Sequence, residues 1–261
     1  MRINREEYTD HINDPIKKIE IRKILDKIET VLNRHTIEAT DFLDPYEVYL
    51  AKSALDSFMD LDYHKDGGYS EAERNIITLY PEYIFKEDIG QSISSLKIEG
   101  YSKGTEHKDF LGAILNLGLK RNKIGDILVY DDYCIVIVKD EIKDYILYNL
   151  EKIKRSKVNV SVYDCNKIIP PERKYNEIDR FLSSLRLDSA ISAAFNLSRK
   201  ESMDAIKNGD VKVNFENIEK PSEELDEGDL ISVRGYGRFL LYNVKGKSKR
   251  DKYICVIRII L

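Results

Sequence analysis

The sequence predicts an α+β chain of three successive domains, and three observations carry that expectation. Apolar residues recur at helical spacing through the first segment, residues 1–75. Over residues 76–169 the pattern changes to alternating apolar runs separated by two helical stretches, in the order β-α-β-β-α-β. Charges and two prolines then interrupt the pattern at Ile168-Ile169-Pro170-Pro171-Glu172-Arg173. Beyond that break, residues 180–261 read as two helices followed by a small, strongly bent sheet.

A chain of 261 residues is long enough for two or three small domains, each with its own core. With 42% hydrophobic and 34% charged residues it is globular and strongly solvated. The net charge of -4 argues against wholesale coating of nucleic acid, but the average hides a gradient. Residues 1–90 carry 12 basic and 20 acidic side chains, whereas residues 184–261 carry 14 and 12. Any basic patch in the last segment must therefore come from placement rather than quantity. Cys134, Cys165 and Cys255 lie far apart in apolar, strand-like runs, which predicts buried reduced thiols and no zinc cluster. Met1-Arg2-Ile3-Asn4-Arg5-Glu6-Glu7 holds no apolar signal core, and no stretch approaches the ~18 apolar residues of a membrane span. A cytoplasmic protein without a membrane partner is expected.

In the first segment, Asp14-Pro15 and Asp44-Pro45 each read as an N-cap followed by proline at the first helical position. Ile16, Ile19, Ile24, Leu25, Ile28, Val31 and Leu32 supply one apolar stripe, and Val48, Leu55, Phe58 and Met59 another. Lys65-Asp66-Gly67-Gly68-Tyr69 reads as an exposed loop. Core packing accounts for these residues without any chemistry.

In the middle segment, strands are expected over 93–98, 125–130, 133–138 and 157–163, with helices over 107–117 and 141–153. Asp131-Asp132 marks the hairpin turn. The order is that of a ferredoxin-like split βαβ unit, which RNA-recognition motifs share. Those motifs carry paired aromatics on their two central strands. Here the matching places offer Leu96 and Ile98, then Ile135 and Ile137, so base stacking on this sheet is not expected. Lys120-Arg121-Asn122-Lys123 is a basic turn that could meet RNA, while His107 and Asp109 sit where helix capping explains them.

The C-terminal segment is the most informative. Arg186-Leu187-Asp188 opens a helix, and Ser198-Arg199-Lys200-Glu201 fits a capping box that starts the next. Gly209 sits where a helix end wants positive φ. Val211-Lys212-Val213-Asn214 alternates as a strand, and Val233-Arg234-Gly235-Tyr236-Gly237-Arg238 follows the turn at Gly228-Asp229. These spaced motifs, in one order, resemble the S4 domain of ribosomal proteins, pseudouridine synthases and tyrosyl-tRNA synthetases. One departure is that the usual Asn-Gly after the strand is Asn214-Phe215 here. A helix start at Ser198 favours a phosphate, and Arg199 and Lys200 oppose its dipole, so a bound phosphate would explain them. Arg186, Ser198, Arg199, Lys200, Lys207, Lys212, Asn214, Arg234, Arg238 and Lys245 are the candidate RNA-binding residues. Lys247, Lys249 and Arg250 in a hairpin tip, with Lys120 and Arg121, are secondary ones. A solvated charged surface is the alternative for each taken singly.

The resemblance extends upstream. Phe42-Leu43-Asp44-Pro45, Gly67-Gly68-Tyr69 with Glu71-Ala72-Glu73-Arg74, His107-Lys108-Asp109-Phe110-Leu111-Gly112-Ala113, Leu117-Gly118 and Ile124-Gly125-Asp126 look like the YlmH family over nearly the whole chain. That resemblance implies a helical N-terminal domain, an RNA-recognition-like middle domain and a C-terminal S4 domain of the αL type. It also implies binding to ribosomal RNA and tRNA on the large ribosomal subunit, in the rescue of stalled nascent chains. An enzyme would need machinery that the sequence lacks. No glycine-rich nucleotide loop and no Ser, Cys and His nucleophile set is present, so no cofactor and no catalytic site are expected. Two alternatives remain open: an RNA-modifying enzyme or accessory subunit that docks its substrate through the S4 domain, and a protein-interaction scaffold linked to cell division.

Overall fold

The computed structural model describes residues 2–261, which form two compact units, the first ending at Pro171 and the second spanning Glu172–Leu261. The first unit begins with α1 (Arg5–Thr9), α2 (Pro15–Arg34), β1 (Glu38–Ala39), α3 (Pro45–Leu55), β2 (Leu61–Asp66) and β3 (Ile76–Pro81). Both long helices start as their Asp-Pro pairs predict. The Asp14 carboxylate accepts from the Ile16 and Lys17 N–H groups, and Asp44 and Glu47 form a reciprocal capping box.

The inward stripe of α2 is Ile21, Ile24, Leu25, Ile28 and Val31, while Ile16 and Ile19 are 70% and 54% exposed, contrary to expectation. In the first turn the inward position belongs to Lys17, whose Nζ lies 2.6 Å from Asp44 and 2.9 Å from Glu47. Burial works to lower the Lys17 pKa, but the two carboxylates hold it above its ordinary value. Met59, expected in the second stripe, is also exposed.

Nor is this segment all helix. Strands β2 and β3 form a hairpin, and β1 flanks β3 on its other side. As the central strand, β3 is buried throughout, so its apolar run shows no alternation. The expected 75/76 division falls immediately before β3, and the pairing carries this first sheet to residue 81. The expected exposed loop begins inside β2, and Gly67 is buried at a place with no room for a side chain, since a Cβ there would lie 2.4 Å from the Ala72 Cβ.

The middle of the unit runs β4 (Ile93–Glu99), α4 (His107–Leu115), β5 (Ile124–Val129), β6 (Tyr133–Lys139), α5 (Asp140–Asn149), β7 (Lys152–Ile153), β8 (Ser156–Lys157) and β9 (Asn159–Tyr163). The sheet order β5-β6-β4-β9, antiparallel throughout, is the ferredoxin-like one. Helix α5 stops at Asn149 rather than Ile153, and β7 and β8 form a small hairpin after it. Cys165 is half-buried in a short 3-10 turn rather than a strand, whereas Cys134 and Cys255 are buried. Burial pushes the Cys134 thiol up.

Strand periodicity assigns the two faces of this sheet. Leu96, Ile98, Cys134, Val136 and Val138 pack on the helix residues Phe110, Ile114 and Ile146. Ile93, Leu128, Ile135 and Ile137 form the other face, and Phe42, Ile76 and Ile168 cover part of it. The four aliphatic positions singled out from the sequence therefore lie on opposite faces. Lys97 and Tyr133 occupy the uncovered part of the second face. The Tyr133 ring stacks on Tyr130 with centroids 4.4 Å apart, and the Lys97 ammonium lies 4.8 Å from its centroid. Tyr133 is thus engaged by Tyr130, just past β5, and by Lys97 of the neighbouring strand.

Several motif residues join the two sheets of this unit. The Asp126 carboxylate accepts from the Tyr69 hydroxyl at 2.9 Å and from the Glu73 and Arg74 N–H groups at 2.7 and 3.2 Å. The Arg74 guanidinium donates to the Phe42 carbonyl, and the Phe42 N–H donates to the Asn122 carbonyl. Gly125 leaves room for the Phe42 ring, to which a Cβ would approach within 2.7 Å.

The second unit comprises β10 (Tyr175–Leu182), α6 (Leu187–Phe195), α7 (Arg199–Lys207), β11 (Val211–Val213), β12 (Glu216–Asn217), β13 (Leu230–Val233), β14 (Gly237–Lys247) and β15 (Tyr253–Ile260). Its six-stranded antiparallel sheet has the order β10-β15-β14-β13-β11-β12. Register shifts between Leu241 and Asn243, and again between Val244 and Lys247, interrupt the long β14–β15 pair. Leu187, Ala190 and Ile191 of α6 and Ile206 of α7 pack on Val211, Ile231, Phe239, Cys255 and Ile257. The expected start at residue 180 cuts through β10, which pairs with β15 over all eight of its residues.

Candidate nucleic-acid interface

The cations expected to meet RNA fall into three groups in the second unit, and each is positioned by a local rule. The first lies at the two helix starts. Arg186 is the residue before α6, and Asp188 is in its first turn. The Asp188 side chain is 0% exposed, and its two oxygens accept from Arg186 Nε and Nη2 at 3.0 Å each. Arg199 Nε lies 3.3 Å from Asp188 Oδ2, with two thirds of its side chain in solvent. Burial alone would push the Asp188 carboxyl up, but the hydrogen bonds and charges of Arg186 and Arg199 hold it below its ordinary value. One buried carboxylate therefore fixes two guanidinium groups at the surface. A planar guanidinium that gives one edge to a carboxylate keeps N–H groups for a phosphate.

At the start of α7, Ser198 Oγ accepts the Glu201 N–H at 3.2 Å, and Glu201 accepts the Ser198 N–H at 2.8 Å. The capping box read from the sequence is formed. It also puts a carboxylate at the place where a phosphate is expected, so phosphate contact falls to the cations around the helix start. Arg199 has a reason to sit there other than a ligand, namely its ion pair with Asp188. Lys200 and Lys207 are exposed.

The second group lies on the sheet face opposite the core. Val211 and Val233 are buried, and between-strand register places Lys212 opposite Ser232 and Ser232 opposite Arg238. Arg238 lies over the Phe215 ring at 5.5 Å, and Arg234, 85% exposed, is 3.5 Å from Asp210. Phe215 occupies the place of the usual glycine. Asn214 and Phe215 both have positive φ, 48° and 71°, as a two-residue hairpin turn requires. The Asn214 side chain donates to Asp229 at 2.7 Å and accepts the Leu230 N–H, so its polar atoms brace this turn.

The third group is the β14–β15 hairpin. Lys245 pairs with Asp179 and Lys247 with Asp251, each at 2.9 Å, while Lys249 and Arg250 are exposed at the tip. In the first unit, Lys120 is exposed, but the half-buried Arg121 donates to the Ile124 and Gly125 carbonyls. Asp109 closes the capping box of α4, as its position predicted.

Sequence reasoning misses Asp188 as the organiser, although it stands in the Arg186-Leu187-Asp188 motif. A carboxylate two residues after an arginine at a helix start is the available signal. Ser232 carried no signal of its own, because its meaning comes from the register.

Two short helices packed on a bent antiparallel sheet, with cations at the helix starts and on the outer sheet face, define an S4-type RNA-binding module. The S4 domain model matches residues 185–231. The model for the YlmH N-terminal region matches residues 17–84, and that described as "Putative RNA-binding domain in YlmH" matches residues 88–167. The chain is 34% identical over 225 residues to the Bacillus subtilis (strain 168) "Ribosome-associated protein quality control protein P2", covering 85% of this chain and 87% of that one. The solved structure of the "Cell division protein ylmH from Streptococcus pneumoniae" aligns with a TM-score of 0.52 and 25% identity, over 60% of this chain and 96% of that one. The chain belongs to the YlmH family.

Proposed function

We propose that this chain is a non-catalytic, cytoplasmic RNA-binding protein that docks on large-subunit ribosomal RNA and tRNA during ribosome-associated quality control. The observation that carries the reading is the buried Asp188 holding Arg186 and Arg199 at the start of the S4 helices. The carboxylate holds both guanidinium groups at the surface with N–H groups left for a phosphate, at helix starts that also carry the exposed Lys200. The 34% identity to a protein named for ribosome-associated quality control supports the setting. Among the described residues, no helix is long and apolar enough to cross a membrane.

The test is sedimentation of the full chain with purified large and small ribosomal subunits, followed by anisotropy titration with large-subunit RNA and tRNA. Migration with the large subunit is expected. The logarithm of the affinity should fall with the logarithm of salt by roughly 0.7–0.9 per phosphate contacted. A chain that stays at the top of the gradient with both subunits, and binds neither RNA at low salt, refutes the reading.

A further inference from the structure

The outer face of the second unit's sheet carries a groove that is larger than a phosphate contact needs. It has a volume of about 510 Å³, within the range of small-ligand sites. Its floor is Ser232 on β13, and its two walls are Lys212 on β11 and Arg238 on β14, in one cross-strand row. Neighbouring strands lie about 4.8 Å apart, so the backbones that carry the two cations stand roughly 10 Å apart, with only the hydroxymethyl group of Ser232 in the row between them. That span between the outer strands is wide enough for a flat ring, with a cation-bearing strand on each side. The end of the groove is the β13–β14 turn, where Gly235 and Gly237 have φ of +82° and +118°. A Cβ at either glycine would meet nothing within 4 Å, so the space above this backbone is open.

The walls differ in a way that matters for an aromatic ligand. Arg238 already lies over the Phe215 ring at 5.5 Å, so its guanidinium takes part in a cation–π contact with an aromatic side chain. Lys212 is exposed and carries a compact charge suited to a phosphate. Asp210, at the rim, faces Arg234 at 3.5 Å, which offsets its charge against an approaching phosphodiester. A bare oxyanion would not need the ring-wide gap. A paired base could not reach it, because its edge is engaged and its faces are stacked. Single-stranded and bulged bases, in contrast, are recognised by stacking on aromatic or guanidinium planes while cations hold the backbone.

We propose that this groove receives one unpaired nucleotide of a structured RNA. The base lies over Ser232 against the Arg238 guanidinium, and Lys212 holds the adjoining phosphate. The inference rests on the RNA-binding reading above and adds to it a preference for an extruded base.

The test uses the full-length protein and two labelled RNA hairpins with the same stem and loop, one fully paired and one with a single bulged nucleotide in the stem. The bulged hairpin is expected to bind about tenfold more tightly at one fixed salt concentration, within the range of one stacked base. Ser232 faces away from the core, so Ser232→Leu should fold as the parent does, which thermal melting checks. That variant fills the floor without changing charge, and it should bring the bulged hairpin down to the affinity of the paired one. Equal binding of the two hairpins by the parent protein overturns the groove proposal while leaving the RNA-binding reading in place. Binding of neither hairpin overturns both. If a well-folded Ser232→Leu keeps the tenfold preference, the bulge is recognised elsewhere and the groove proposal fails.

Discussion

Replacing Asp188 by Asn keeps the shape of the side chain and removes the charge that two arginines share. In the folded protein its oxygens accept two N–H groups from Arg186 at 3.0 Å and one from Arg199 at 3.3 Å. A hydrogen bond to a charged group contributes about 1.5–3 kcal/mol, and breaking a fully buried ion pair costs about 3–5 kcal/mol. Both guanidinium groups reach solvent, so rehydration trims the loss toward the lower figures. The amide of Asn also turns a donor toward donors that the carboxylate had satisfied. Asp188→Asn should therefore destabilise the second unit by about 2–3 kcal/mol at neutral pH. For a unit of this size that is a drop of roughly 10–20 °C in melting temperature, measured by calorimetry of the full chain.

The effect has a signed pH dependence. The folded Asp188 pKa lies below its ordinary value, so its stabilisation is complete above the unfolded value of about 3.9 and is lost as pH falls through the folded one. The gap between parent and variant should narrow below about pH 4. A neutral-pH loss under about 1 kcal/mol would place the interaction among ordinary surface bridges and refute the organising role of Asp188.

Other outcomes follow from the same geometry. Lys200→Gln should leave the melting temperature unchanged or slightly raised, because a cation in the first turn of α7 opposes the helix dipole, and should weaken RNA binding; Arg199→Gln should lower both through lost contact with Asp188. A fragment of residues 172–261 should fold and keep most of the RNA affinity, measured by anisotropy, whereas one starting at residue 184 should unfold because it lacks β10. Gly125→Ala should destabilise the first unit by about 1–3 kcal/mol in denaturant titration, since its Cβ would strike the Phe42 ring, and should leave RNA affinity unchanged.

The sequence by itself determined what depends on near neighbours in the chain. Asp14-Pro15, Asp44-Pro45 and Ser198-Arg199-Lys200-Glu201 start helices because each cap is closed by atoms within three residues. The βαββαβ order was legible because alternation and helical spacing are themselves local periods. Register and burial were not legible, since they depend on pairs far apart in the chain. Ile76–Pro81 reads as an apolar run, and only its pairing with β1 and β2 makes it the centre of the first sheet. Ile16 and Ile19 look like core until Lys17 takes the inward position by reaching Asp44 and Glu47, about thirty residues away. The candidate cations could be named from their motif, but their roles could not be separated. Asp188 distinguishes Arg186 and Arg199 from free surface charge, Asn214 spends its polar atoms on a turn, and Arg121 donates to the Ile124 and Gly125 carbonyls. Lys212, Ser232 and Arg238 become one row only when three strands pair, because side chains distant along the chain acquire a common face through the sheet and not through the sequence.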